Sequence, residues 1–111
     1  MYSKRQNKVA RLLQKELGEI LQRQSRNLFQ GALITVTIVR TSPDLSVAKV
    51  YLSLFAHKNN SDLLDLIKES NKTIRHHLAQ RVRHQLRAVP ELIFYKDDSL
   101  DMIEKIDNLL K

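Results

Sequence analysis

A block of basic side chains lies in residues 68–90, where the periodicity predicts a helix from about Ile67 to Arg87. Its apolar residues lie four apart and therefore form one stripe: Ile74, Leu78, Val82 and Leu86. That stripe must face a core. Four other residues share a different side of the same helix: Lys72, His76, Arg83 and Arg87. Because cations gathered on one surface can neutralise several phosphates together, the spacing predicts a face that binds a polyanion.

Further cations extend this predicted binding face. Arg81 continues it around the helix, whereas Arg75 falls beside the apolar stripe and must either extend its charged end to solvent or find a partner. Three basic residues lie near the start of the first helix, where the helix macrodipole disfavours cations: Arg5, Lys8 and Arg11. They join the candidate set if the fold brings them beside the other cations. The alternative for each of these residues is a solvated surface charge.

The side chains required for catalysis or for a metal centre do not occur at suitable spacings. The sequence contains no cysteine, which excludes thiolate catalysis and cysteine-based zinc sites. His77 and His84 are separated by about 10.5 Å along a helix axis, too far to bind one zinc ion. Asp97, Asp98 and Asp101 could be imagined as a magnesium site, but their place at a helix start favours capping. We predict no catalytic residue, no metal site, no cofactor and no small-molecule substrate.

Charge and length narrow the class of protein further. A chain of 111 residues with 42% hydrophobic residues is expected to fold as one domain spanning residues 1–111. The net charge of +7 favours an anionic partner, with nucleic acid ahead of a membrane surface. No apolar run is long enough for a membrane span or a signal peptide, so we expect a cytoplasmic protein.

The elements that position the basic residues begin with a helix and a hairpin. Apolar residues three and four apart predict the first helix from Ser3 to Arg23, and Gly31 offers a turn after it. A strand follows, with alternate residues on one face: Ile34, Val36 and Ile38. The residues that alternate with these lie on the opposite face of the strand: Thr35, Thr37 and Val39. A turn at residues 42–45 and a second strand from Val47 to Phe55 complete an antiparallel hairpin.

The helical segment that contains the basic residues follows the hairpin and runs from Leu63 to Arg87, with Ser61 or Asp62 as its N-cap candidate. The apolar phase changes within it and residues 69–72 are all polar, so a kink or break is expected at three residues: Ser70, Asn71 and Lys72. Pro90 ends the helical region and residues 91–95 form a third strand. Residues 97–99 then cap a last helix with four inward residues: Leu100, Ile103, Ile106 and Leu110. The expected fold is α+β, a three-stranded sheet with helices on one face.

Several segments of the sequence resemble those of a known protein family. The segment Val39–Ser53, with SPDLS at 42–46 followed by AKVY at 48–51, is similar to the signature hairpin of ribosome-binding factor A. Shorter matches follow in the same order along the chain: Arg5, Lys8–Ala10, Ile74–Arg75, Leu78–Ala79, Arg81, Pro90–Leu92, Phe94 and Asp97–Ser99. The hairpin motif is specific, whereas the helical matches alone would be weak.

The resemblance implies a type II KH-like fold with a kinked central helix. It also implies a bacterial, non-enzymatic factor that binds the small (30S) ribosomal subunit during late maturation of 16S rRNA, notably in cold adaptation. Partners would be 16S rRNA and the small subunit, with no membrane, and the protein would act as a monomer. The family carries Ala-x-Gly at the kink, where this chain has Ser70-Asn71-Lys72. If the kink requires φ > 0, lysine there costs roughly 1 kcal/mol.

Two other functions remain as alternatives. A general KH-like module would bind single strands or duplex DNA without preference for ribosomes, and a metal-dependent nuclease would use the C-terminal aspartates. Base stacking requires exposed aromatic residues on the sheet, and only Tyr51 and Tyr95 are candidates, because phenylalanines more often belong to cores. The sequence therefore favours recognition of RNA shape and backbone.

Overall fold

The computed structural model describes residues 3–29, 31–55 and 60–97. Helix α1 spans Lys4–Leu28, so the first predicted helix is confirmed and continues beyond Arg23. Ser3 caps it through a reciprocal pair of bonds, in which Gln6 N–H donates to Ser3 Oγ and Ser3 N–H donates to Gln6 Oε1. This cap offsets part of the unfavourable placement of cations in a first turn that contains no acidic residue.

Three strands form one mixed sheet in the order β1-β2-β3. Strand β1 (Leu33–Thr41) pairs antiparallel with β2 (Val47–Phe55), as the hairpin prediction requires. Strand β3 (Glu91–Lys96) confirms the third predicted strand and lies parallel to β2. A parallel pair needs a crossover connection, and the two remaining helices supply it.

Strand β1 contains a bulge that corrects the predicted faces. Val36 pairs with Leu52 and Ile38 pairs with Tyr51, so Thr37 is an extra residue without an opposite partner. An inserted residue reverses the alternation beyond it. Ile38, predicted inward with Ile34 and Val36, is therefore 42% exposed, and Val39, predicted outward, is buried.

The central helix is divided at Ser70, which confirms the predicted break. Helix α2 spans Asn60–Glu69 and α3 spans Asn71–Val82. Ser61 and Asp62 lie within the first turn of α2, so neither is its N-cap, and that prediction is wrong. The kink uses right-handed backbone angles, with φ −86° and ψ 6° at Ser70, and Leu45 is the one described non-glycine residue with positive φ. Lysine at position 72 is therefore unstrained.

Helix α3 ends at Val82, earlier than the predicted Arg87. Gln85 and Leu86 both donate to the Val82 carbonyl, each at 2.9 Å, and close a turn there. Pro90 disfavours helical geometry for the residue before it, and the chain must reach Glu91, whose N–H donates to Ser46 O at 2.8 Å. Residues 83–90 thus form a return segment between α3 and β3.

All described helices pack on one face of the sheet and enclose a single core, as predicted. Ile74, Leu78 and Val82 are fully buried, whereas Leu86, beyond the end of the helix, is only half-buried. The sheet contributes alternate residues to this core: Ala48, Val50, Leu52, Leu54, Leu92 and Phe94. The predicted last helix, with its cap at residues 97–99 and its apolar stripe from Leu100 to Leu110, falls outside the described residues except for Asp97.

Candidate nucleic-acid interface

A groove beside α3 brings together half of the eight predicted RNA-binding residues. Its charged and titratable lining consists of Lys72, Arg75, His76, Arg83 and Arg87. We call it the α3 groove. All five side chains are exposed, and no carboxylate of the described residues lines this groove. The four residues predicted to share one side of the helix thus do lie together, although Arg83 and Arg87 lie beyond the end of α3. The reason is that the return segment runs back along the same face of that helix.

Arg75 holds the return segment in place. Its Nη2 donates to the carbonyl oxygen of Val89 at 2.7 Å. This bond gives Arg75 a main-chain partner, which is one of the two solutions expected for its position beside the apolar stripe. Arg75 therefore lines the groove and also fixes one wall of it, a double role that the sequence did not reveal because the partner is a backbone carbonyl fourteen residues away.

A second groove lies between α1 and the return segment. Arg5 and Lys8 line it on the α1 side, and Arg87 lines it on the other. We call it the α1 groove. Arg87 and Leu86 line both grooves, so the two form one continuous basic surface. The fold thus brings Arg5 and Lys8 beside Arg87 of the return segment, which meets for these two residues the condition on which the sequence analysis included them.

Asp44 is the single described carboxylate that lines this basic surface. Hydrogen bonds from the Ser42 hydroxyl and then from Ser46 lower the pKa of Asp44 from 3.8 to about 2. The same contacts build the predicted turn, since Ser42 Oγ also accepts from the backbone N–H of Val47 at 3.0 Å. The carboxylate is committed to the turn rather than to a cation of the grooves.

Arg81 lies outside both grooves. Its Nε is 2.8 Å from Glu16 Oε2, and its Nη2 donates to Glu19 Oε2. Two carboxylates of α1 therefore compensate this guanidinium and attach α3 to α1. The prediction that Arg81 binds RNA loses its basis, because a charge already paired in this way is not available to a phosphate.

Arg11 is also separate from the basic surface. It lines a third groove, on the other side of α1 beside strand β1, together with Lys15 and Arg26. Two predicted members of the site, Arg11 and Arg81, are therefore not brought together with the other six.

The predicted kink residues have distinct positions. Asn71 Nδ2 donates to Leu92 O at 2.8 Å, which attaches the start of α3 to strand β3. Lys72 is exposed at the mouth of the α3 groove. Asn71 thus serves the fold, and Lys72 is the kink residue that presents a cation.

Metal binding finds no support in the part of the chain that the structure describes. No group of three histidines or carboxylates there could hold an ion. His76 faces Gln80, with Nε2 atoms 3.3 Å apart, and Arg83 Nε donates to His84 Nε2 at 3.3 Å. Asp98 and Asp101, two of the three aspartates weighed as a magnesium site, lie outside the described residues.

None of the described helices combines the length and the apolarity that a membrane span requires.

The fold and the basic surface define a small α+β protein with a helical face suited to a polyanion. The family model for ribosome-binding factor A matches residues 5–110. This chain belongs to the ribosome-binding factor A family.

Individual relatives agree with this assignment. The chain is 46% identical over 110 residues to ribosome-binding factor A of Cytophaga hutchinsonii, covering 99% of this chain and 83% of that protein. It is 49% identical over 111 residues to ribosome-binding factor A of Flavobacterium johnsoniae, and the match covers 99% of this chain and 85% of that protein.

Solved structures of the family share the fold. The crystal structure of ribosome-binding factor A from Thermus thermophilus is similar at a TM-score of 0.68 and 27% identity, covering 86% of this chain and 97% of that one. A homology model of Thermus thermophilus ribosome-binding factor A, fitted into a cryo-electron microscopy map of a 30S complex, is similar at a TM-score of 0.63 and 31% identity. The match covers 80% of this chain and 91% of that one.

Proposed function

We propose that this chain binds the small ribosomal subunit and assists late maturation of 16S rRNA. The basic surface formed by the two grooves would lie against folded rRNA. The observation that carries the proposal is the continuity of this surface. Six lysine and arginine residues and His76 line two grooves that share Arg87. The Thermus relative fitted into a map of a 30S complex supports the choice of the small subunit.

Electrostatics should dominate this binding. Each neutralised phosphate releases counterions, so about five contacts give a slope of log K against log salt near −3.5 to −4.5. Sedimentation of the protein with purified small subunits across a salt series measures this slope. Binding that persists unchanged from low to high salt would refute docking through the basic surface.

Variants locate the contact. Arg87→Ala removes the cation common to both grooves and should weaken subunit binding about five- to tenfold, as expected for loss of one charged contact. Arg23→Ala removes an equal charge from an exposed position of α1 that lines neither groove. Equal loss of binding in both variants would show that only net charge matters.

Specificity separates this function from that of a general nucleic-acid module. A ribosome assembly factor should bind free small subunits much more tightly than unrelated oligonucleotides at the same salt concentration. Comparable affinities would favour the general KH-like module. RNA that stays intact with the protein and magnesium would exclude the nuclease, in agreement with a factor that binds without catalysing a reaction.

The proposal includes the cellular setting. We place the protein in the cytoplasm as a monomer that needs no cofactor, and expect its loss to cause accumulation of 16S precursors and slow growth in the cold. Precursor levels in a deletion strain at low and optimal temperature test this part. Analytical ultracentrifugation tests the monomer.

A further inference from the structure

The outer face of the sheet, opposite the helices, carries a row of apolar and aromatic residues whose two outer members are exposed. The strand register places Ile38, Tyr51 and Tyr95 side by side across all three strands. Ile38 is 42% exposed and Tyr95 is 39% exposed. The bulge at Thr37 is the reason that Ile38 joins this row. The alternation of β1 therefore did not predict that Ile38 would lie beside the two tyrosines.

The two tyrosines form a stack. Their ring centroids are 5.3 Å apart and their planes are inclined by 23°. The Cζ atom of Arg40 lies 5.9 Å from the centroid of the Tyr51 ring. Tyr95 belongs to β3, which is the last strand of the sheet on that side, so the row of stacked groups ends at an exposed ring.

Two cations sit directly opposite each other in the next row. Arg40 pairs with Lys49 across β1 and β2, and like charges at such positions are destabilising. Neither residue forms an ion pair with any other residue that the structure describes. Among the residues that the structure describes, this pair of cations beside the tyrosine stack therefore has no carboxylate partner.

The same face has two carboxylates at its margins. Glu91 lies opposite Val47 at the start of β3, and Asp97 accepts a hydrogen bond from Thr37 Oγ1 at 2.5 Å at the other end. Between these margins lie the two tyrosines and the two cations, with Ile38 beside Tyr51 and Ile93 beside Lys49. Aromatic rings next to cations are the combination that binds single-stranded nucleic acid, because bases stack on the rings while phosphates contact the cations.

We propose that this outer face binds unpaired nucleotides of RNA. A base extends the stack at Tyr95, and the phosphates lie against Arg40 and Lys49. This contact goes beyond the proposed function, since the basic surface lies on the helical side of the sheet and recognises backbone. The two surfaces would let one protein hold a folded RNA element on one side and a single strand on the other.

Intrinsic fluorescence gives a direct test, because the chain has no tryptophan and three tyrosines. In a Tyr2→Phe background the emission comes from Tyr51 and Tyr95 alone. Titration with single-stranded octauridylate should quench this emission. Tyr95→Leu should raise the octauridylate Kd, followed by a fluorescein label on the oligonucleotide, about five- to a hundredfold. Tyr95→Phe, which keeps the ring, should stay within about twofold of the parent.

The charge contribution has its own variants. The double variant Arg40→Gln and Lys49→Gln should also weaken octauridylate binding and lower its salt slope by about 1.4, near 0.7 per lost phosphate contact on a single strand. Circular dichroism and thermal melting verify that each variant is folded. Absence of tyrosine quenching, or a Tyr95→Leu variant that binds octauridylate like the parent, overturns the proposal. Equal quenching by hexaglutamate overturns it as well, since the face would then accept acidic peptide rather than a base.

These outcomes are independent of those for the basic surface. If Arg87→Ala loses subunit binding while Tyr95→Leu leaves octauridylate binding unchanged, the outer-face proposal fails and the proposed function stands. If Tyr95→Leu abolishes quenching while the parent protein does not sediment with small subunits, the outer face is supported and the proposed function fails.

Discussion

Arg75 Nη2 donates to the carbonyl oxygen of Val89 at 2.7 Å, and this bond joins the middle of α3 to the end of the return segment. The segment between them carries Arg83 and Arg87, the cations that complete the α3 groove and join it to the α1 groove. This side-chain bond, together with the backbone bonds at Val82 and Glu91, thus holds the surface on which the proposed function depends.

Replacing Arg75 with methionine should therefore loosen the return segment. The variant keeps the aliphatic length of the side chain but removes the donor, at a cost of about 1 kcal/mol in free energy of unfolding. Hydrogen exchange should increase in residues 83–89 and remain unchanged in β1 and β2. Exchange that stays at the parent rate throughout the return segment would show that the bond does not hold it.

Lys72→Ala should weaken binding to the small subunit without unfolding the domain. Lys72 is exposed, and its kink geometry is right-handed, so alanine is accommodated there. The salt slope of subunit binding should fall by about 0.7–0.9 if one phosphate contact is lost. Lys68→Ala, at an exposed position in the last turn of α2 that lines neither groove, is the matched control. Equal effects of the two variants would assign Lys72 to the general surface charge.

Arg81→Met should destabilise the fold. It leaves the carboxylates of Glu16 and Glu19 without their partner, and the side chain of Glu16 is only 15% exposed. We expect a loss of about 2 kcal/mol, less than for a fully buried pair because the ion pair is partly solvated. Urea unfolding measures it, and the triple variant with Glu16→Gln and Glu19→Gln should recover part of the loss. A stable Arg81→Met protein with weakened subunit binding would restore Arg81 to the RNA site.

The turn at Asp44 predicts a pH dependence. Because the pKa of Asp44 is lowered in the folded state, its ionised form contributes stability above pH 3.8, and that contribution disappears as the pH falls through about 2. NMR titration of the side-chain carboxyl carbon should give a midpoint near 2. Ser42→Ala, which removes the largest cause, should raise the pKa more than Ser46→Ala. A midpoint near 3.8 in the unaltered protein would contradict these hydrogen bonds.

Gly18→Ala should stabilise the protein. Gly18 lies inside α1, and a Cβ built there meets no atom within 4 Å. Alanine in a helix interior is favoured over glycine by about 1 kcal/mol, which corresponds to a rise in Tm of about 4–8 °C. Gly31→Ala is the contrasting variant, since φ of +77° at Gly31 disfavours any Cβ despite equal space. Equal changes in Tm for both would refute this account.

The elements defined by local periodicity were predictable from the sequence. The apolar stripe of α1, the alternation of β2 and the break at Ser70 all follow from neighbouring residues. So does the turn at residues 42–45, because proline and short polar side chains act on the nearest backbone groups. The grouping of Lys72, His76, Arg83 and Arg87 was also predicted, although for a longer helix than the one observed.

Tertiary structure decided what depends on distant partners. The bulge at Thr37 reverses the faces of Ile38 and Val39, because strand register is set across the sheet and not along β1. Arg81 leaves the predicted site because α1 places two carboxylates against it. Arg5 and Lys8 meet Arg87 only because α1 packs beside the return segment. The sequence alone thus determined most of the described secondary structure and the excess of positive charge, and the packing of α1, α3 and β3 determined which of those charges share a surface.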